Sequence, residues 1–351
     1  MDAVPRVPHM TLSHATRRRL ATFRANRRGS WSLWVFLVLF GLSMFAEFIA
    51  NDRPLLIRYD NAWYAPVLRD YSGDTFGPDF LPTDADYTDP DLQKSIAAKG
   101  WMLWPPLPYA YASSVKDLGA PSPASPSLRN PLGTDDQARD VLARVIYGFR
   151  LSVSFALFVT VLTSVLGIAA GAVQGYFGGL TDLIMQRVIE IWGSTPMLYV
   201  IIIISAVWTM NFWLMIGLMV LFGWMGLVGL VRAEFLRARN FEYVRAAKAL
   251  GVTDFTIIIR HVLPNAMVST LTMLPFVVTG TIGSLASLDF LGFGLPPSSP
   301  SLGELSQQAQ QNLQAPWLGF TAFFTFAIML TLLVFVFDGL RGAFDPRKTF
   351  R

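Results

Sequence analysis

The sequence predicts an all-α polytopic membrane protein with six transmembrane helices and both termini in the cytoplasm. Three observations carry that prediction. Hydrophobic residues make up 53% of the 351 and charged residues only 15%, with a mean hydropathy of +0.44. A soluble domain of this length exposes more charge. The apolar residues gather in runs of about 20, enough to cross a hydrocarbon core of roughly 30 Å. The basic residues cluster beside those runs, and six crossings bring every cluster to one side.

Taken in order, a basic tail over 1–30 leads into WSLWVFLVLFGLSMFAEFIA, the first expected span at 31–50. This run exceeds the ~7–15 apolar residues of a signal peptide, and no A-x-A-like site follows it, so it reads as a retained span. Arg17, Arg18, Arg19, Arg24, Arg27 and Arg28 precede it and set the N-terminus inside. Residues 51–150 then form a periplasmic insertion with acidic and aromatic patches, DFLPTDADYTDPD and GWMLWPPLPYAY, and a GAPSPASPS stretch. Two readings fit it: a loose connector, or a small cap on the outer mouth with Trp101, Trp104 and Tyr109 at the interface. Pro105 and Pro106 oppose regular helix there. From LGTDDQARDVLARVIYGFR the pattern turns helical. Thr134 is the expected N-cap, with Asp135 and Asp136 in the first turn. Val141, Val145 and Phe149 at fourfold spacing predict an amphipathic lead-in helix.

Five more spans are expected at 151–172, 183–209, 212–231, 267–288 and 317–337, a core over 151–340 followed by a cytoplasmic tail at 341–351. Gly167, Gly171, Gly175 and Gly179 recur every four residues. In lipid, close backbone approach through small residues drives helix packing, so this stripe predicts a helix contact, its later members also fitting a turn. Arg187 and Glu190 can pair on one helix face, and Pro196 predicts a kink. No cluster of carboxylates crosses the bilayer, which opposes a proton- or sodium-driven carrier. Cysteine is absent and the three histidines, His9, His14 and His261, are too scattered for a metal site.

The loop 232–266 falls inside and ends in FEYVRAAKALGVTDFTIIIRHVLPNA, Phe241 to Ala266. Ala246 to Leu250 favour helix. Gly251 suits the left-handed position just past its end. Thr253 is the expected cap of a second helix. Pro264 predicts a bend before the fifth span. The product is a helix–turn–helix elbow, with Phe241 and Tyr243 as apolar anchors and Ala246 and Ala247 small enough to admit another protein.

RAAKALGVTDFTIIIRHVLPNA resembles the signature of the permease subunits of ABC importers: Glu-Ala-Ala, three residues, Gly, nine residues, Ile, one residue, Leu-Pro. Ala246, Ala247, Gly251, Leu263 and Pro264 match in register, while Arg245 stands for Glu and His261 for Ile. Those departures are similar to the di- and oligopeptide branch. NPLGTDDQARDVLARVIYGFRLS, LDFLGFGLPPSSPSLGEL and the last span resemble the same branch, from about 130 onward. The long insertion with WPPLPY looks closest to the microcin C-type (Yej) peptide permeases.

The resemblance implies a type I ABC importer permease fold, with the elbow as coupling helix in a cleft of a cytoplasmic ATPase. Arg245, Ala246, Ala247, Lys248, Gly251, Leu263 and Pro264 then carry the coupling, with Ala246, Ala247 and Gly251 as the docking core. Implied partners are a second related permease subunit, two ATPase domains, a periplasmic substrate-binding protein and membrane lipid, with no nucleic acid. No cofactor is implied for this chain, since ATP is used by the partner ATPases and no phosphate loop of the G-x-x-x-x-G-K-[ST] type is present. No catalytic residue or enzyme activity is expected. Rival readings are a permease of the same architecture for another cargo (a nickel complex or a sugar), a secondary transporter, and a membrane-embedded hydrolase. The hydrolase lacks a G-x-S-x-G elbow.

Overall fold

A computed structural model describes residues 14–116 and 118–344, so parts of both expected cytoplasmic tails, 1–13 and 345–351, lie outside the described residues. The N-terminal part forms α1 (His14–Ala25) and α2 (Arg27–Met44), the latter capped by Asn26, then the short α3 (Ala46–Ile49). The first expected span is therefore α2 with α3, interrupted at Phe45. Gly29 lets α2 lie against the last helix, because a β-carbon there meets the Gly339 backbone at 3.0 Å.

Outside the helical expectation, the insertion holds a three-stranded antiparallel sheet ordered β2-β1-β3, from β1 (Leu56–Tyr59), β2 (Ala62–Tyr64) and β3 (Gly100–Leu103). The β1–β2 turn is Asp60–Asn61, both at positive φ, the tight hairpin geometry that Asn and Asp tolerate. A single-turn helix (Gly73–Phe76) and α4 (Pro90–Lys99) close over the inner sheet face. Ile57, Phe76, Leu92 and Ile96 are its core, so the segment is a cap with its own interior rather than a loose connector. Trp101 lies on the exposed sheet face against Trp63. Trp104 and Tyr109 instead line a cleft of about 480 Å³. The cap is tied to the spans by Leu107, whose N–H donates to Ile49 at 2.9 Å, and by the Tyr147 hydroxyl, which donates to the Ala50 carbonyl at 2.9 Å.

The lead-in helix and second span are one helix, α5 (Val141–Phe177), of 37 residues. At 1.5 Å per residue it runs about 55 Å, well beyond one hydrocarbon thickness. Its cap is Asp140, whose carboxylate accepts from Ala143 N–H at 2.8 Å, not Thr134. Ala138 at positive φ blocks an earlier start. Thr134 is buried and its hydroxyl accepts the Ala124 N–H at 2.9 Å.

Next come α6 (Gly179–Gly193) and α7 (Met197–Val207), bent by 61° where Pro196 interrupts them. The hairpin returns through α8 (Phe212–Gly223) and α9 (Met225–Ala238). Gly167, Gly171 and Gly175 lie against α9, where β-carbons would stand 2.5, 2.8 and 2.5 Å from the carbonyls of Trp224, Val228 and Arg232. Gly179, at positive φ with open space around it, belongs to the turn.

The elbow comprises α10 (Glu242–Ala249), α11 (Asp254–Thr256), a π-helical segment (Ile257–Val262) and α12 (Leu263–Leu271). It joins α13 (Leu274–Phe290) through a 53° bend. That bend falls at Thr272–Met273, before Pro275, rather than at Pro264. The wider π turn ahead of Pro264 accommodates its missing donor, a common use of π segments. Finally α14 (Leu302–Gln311) and α15 (Pro316–Phe344) complete the chain. By length and apolar composition three described helices can cross a membrane, or up to five with each bent pair taken as one span.

Candidate functional site

The elbow sits at the Phe177 end of α5, opposite the cap. Its seat is apolar: Val244 and Ala247 of α10, and Ile257 and Val262 beyond it, pack on Ala172, Tyr176, Val231 and Phe235. Two hydrogen bonds close α10, from Gly251 N–H to the Lys248 carbonyl at 3.0 Å and from Val252 N–H to the Ala247 carbonyl at 3.1 Å. This is the Schellman pattern, and Gly251 supplies its left-handed residue at φ +76°. Thr253 stands at the expected cap position, yet its hydroxyl meets Thr256 Oγ1 at 2.9 Å instead of a backbone N–H.

The turn is fastened to α5. Tyr176 donates its hydroxyl hydrogen to Asp254 Oδ1 at 2.5 Å. Lys248 Nζ lies 3.7 Å from the same oxygen and 4.6 Å from the centre of the Tyr176 ring. Lys248 therefore braces the elbow while its side chain stays half exposed. Ala247, at 9% exposed, faces this chain's own core, one step round the helix from the exposed Ala246. Arg245 is exposed and makes no ion pair among the described residues.

Gly251 and Pro264 are exposed and Leu263 is half-buried against the seat. Phe241 and Tyr243 are exposed and touch each other, ring centres 5.8 Å apart. The structure adds three residues that the sequence reading did not single out. Leu250 is 83% exposed and Phe255 74%, either side of Gly251, with Ile259 exposed one turn on. Large apolar side chains held this far out form a contact surface of the kind that another protein or a membrane covers. Their signal was available as ALGVTDFTIII, where the turn residues force the flanking Leu250 and Phe255 outward.

A second cluster lies at the other end of α5. Arg139 donates to Asp135 at 2.7 Å, to Glu304 Oε1 at 2.9 Å and to the Pro297 carbonyl at 2.9 Å. Arg144 donates to Glu304 Oε2 at 2.6 Å. All four side chains are nearly inaccessible. Asp289 joins α13 to α14 by accepting from Ser301 Oγ and from Leu295 N–H at 2.7 Å. The cluster fixes α14 on the start of α5, so the cap end of the molecule and the elbow are linked by one continuous helix.

The family model "Binding-protein-dependent transport system inner membrane component" matches residues 164–350, which includes the whole elbow. The "Peptidoglycan transport system permease protein YejE" of Agrobacterium fabrum is 54% identical, covering 97% of this chain and 95% of its own. The "Inner membrane ABC transporter permease protein YejE" of Escherichia coli K12 is 56% identical over 96% and 98%. The "Oligopeptide transport system permease protein OppC" of Lactococcus lactis IL1403 is 34% identical over 63% and 76%.

Proposed function

Because this chain belongs to the family of inner membrane permease components of binding-protein-dependent ABC importers, and is not an enzyme, we propose that it carries peptides or peptide-like compounds inward as a six-span subunit driven by separate ATPases. The single observation behind this reading is the elbow: a Schellman-terminated helix with an apolar ridge outward and a rigid seat inward. Its outward residues are Arg245, Ala246, Leu250, Gly251 and Phe255, which meet the ATPase. Ala247, Lys248, Leu263 and Pro264 hold the elbow in register with α5, α9 and α12.

The mechanism follows from that rigidity. A push on α10 passes through the Val244–Ala247 seat into α9, and through Asp254 and Tyr176 into α5. Because α5 is interlocked with α9 at its glycine stripe, the two helices move together. The far end of α5 holds α14 through Arg139, Arg144 and Glu304, so displacement at the elbow reaches the outer mouth. Partners in this reading are a second permease subunit, two ATPase domains that consume ATP, and a periplasmic binding protein.

The reading is tested with the assembled complex in proteoliposomes. Peptide uptake should require ATP and stop when the ATPases carry an inactivating substitution. It should persist when the proton and sodium gradients are collapsed. Uptake that runs without the ATPases and follows an ion gradient refutes it and favours the secondary carrier.

A further inference from the structure

α6 is the least covered of the long helices: none of its residues is buried within this chain. It nevertheless carries a polar stripe, Asp182, Gln186 and Glu190 at fourfold spacing, with Arg187 beside it. Three contacts fix its depth. Asp182 accepts from Arg232 at 2.5 and 2.7 Å. Gln186 donates to Gln174 at 2.9 Å. The Trp192 indole donates to the Leu221 carbonyl at 3.1 Å.

Leu221 lies near the middle of the span Phe212–Ala238, and Arg232 toward its elbow end. Along α6, Arg187 and Glu190 fall between these two levels, inside the expected third span 183–209 and toward its elbow end. They form an ion pair with each other, yet their side chains remain 67% and 54% exposed. Charge within a span is disfavoured against hydrocarbon, and a carboxylate such as Glu190 there marks a wet or protein-lined face.

A second, independent observation lies one turn further. The backbone opens at the 61° bend between Gly193 and Met197, and Ser194, Thr195 and Pro196 are all exposed. Irregular backbone at membrane depth is tolerated only where protein covers it or water reaches it. Among the described residues Arg187 has one acceptor, Glu190, for its five guanidinium donors. A dry apolar contact would leave the remaining donors unsatisfied, whereas a water-filled path supplies acceptors.

We propose that Arg187 and Glu190 line the translocation path and contact the charged ends of a zwitterionic peptide, the guanidinium taking the carboxylate and Glu190 the ammonium. This rests on the permease reading above and adds a cargo-contacting site to it.

The chain contains no cysteine, so an introduced cysteine is the only one in this subunit, and labelling is read on its isolated band. R187C and E190C in the assembled, reconstituted complex are exposed to a charged thiosulfonate, which needs an ionised thiol in water. V161C and F323C, on exposed apolar faces, are the lipid-facing comparison. Labelling at 187 and 190 should run at least about tenfold faster than at 161 and 323, and slow when peptide is present. Rates as low as those of the comparison sites overturn the proposal, whether lipid or a dry subunit contact is the cause.

A second readout uses peptides with blocked ends. E190Q should raise KM about tenfold for a free N-terminus and leave an N-acetylated peptide unchanged, as loss of one charge-assisted contact does. Equal effects on both peptides would show a merely structural role and also overturn it. ATP dependence of uptake by the unsubstituted complex is measured alongside. Its absence refutes the permease reading, while the labelling rates still report on the path.

Discussion

Replacing Gly251 isolates the elbow's turn from its contacts. A β-carbon built there meets nothing within 4 Å, while φ is +76°. Any penalty within this chain is therefore conformational. A β-carbon in the left-handed region costs about 1–2 kcal/mol, least for Asn and most for β-branched residues. A cost near 2 kcal/mol shifts a two-state turn by a factor of about 30. Release of the turn frees the bonds from Gly251 to Lys248 and from Val252 to Ala247, which aim Leu250 and Phe255.

The assay is peptide transported per ATP hydrolysed by the reconstituted complex, with membrane content of the chain as control. Gly251→Asn should stay near the parent. Gly251→Ala should lose a few-fold, and Gly251→Val more than about tenfold, with insertion unchanged. Parent-like transport by Gly251→Val refutes the reasoning. An equal loss for all three also refutes it, because then a partner's surface, not φ, sets the limit.

Two further outcomes follow from packing and buried charge. Gly175→Ala places a β-carbon 2.5 Å from the Arg232 carbonyl and the Phe235 β-carbon, so α5 and α9 must part. A loss of about 1–3 kcal/mol, read as a lower melting temperature in detergent, is expected, whereas Gly217→Ala, with open space in a helix interior, should not lower it. Glu304→Gln leaves Arg139 and Arg144 buried against a single remaining carboxylate, Asp135. Breaking such a pair costs about 3–5 kcal/mol, so the variant should show protease cleavage near 297–304 while Asp91→Asn, at an exposed pair, stays intact.

What the sequence revealed was mostly local. Runs of apolar residues located the long apolar helices, Pro196 located the 61° break, and Gly251 declared its left-handed turn, because each effect is decided within a few residues. The Arg187–Glu190 pair was visible for the same reason, being three apart on one helix. Facing was harder. Ala246 and Ala247 look alike in sequence, and only the Val244 seat determines which one turns inward. The Asp135–Arg139–Arg144–Glu304 cluster joins residues far apart along the chain, so its members read as an unremarkable acidic helix start and a loop.

Thr134 looked like a cap because nothing nearby showed that Ala124 would claim its hydroxyl. Pro264 suggested a bend, but the π segment before it absorbed the missing bond and moved the bend to Thr272–Met273. The cap's sheet was missed although RYDNAWY carries a hairpin signal at Asp60–Asn61. Its strands are only three and four residues long, too short for alternation to stand out.

The most direct test of the central claim is site-specific crosslinking from the elbow's outward face. A photoreactive side chain at Ala246 or Leu250, in the assembled transporter during turnover, should capture the ATPase subunit and do so in an ATP-dependent manner. One at Phe323 should not. Capture of no ATPase from either elbow position, in membranes that are actively importing peptide, contradicts the account.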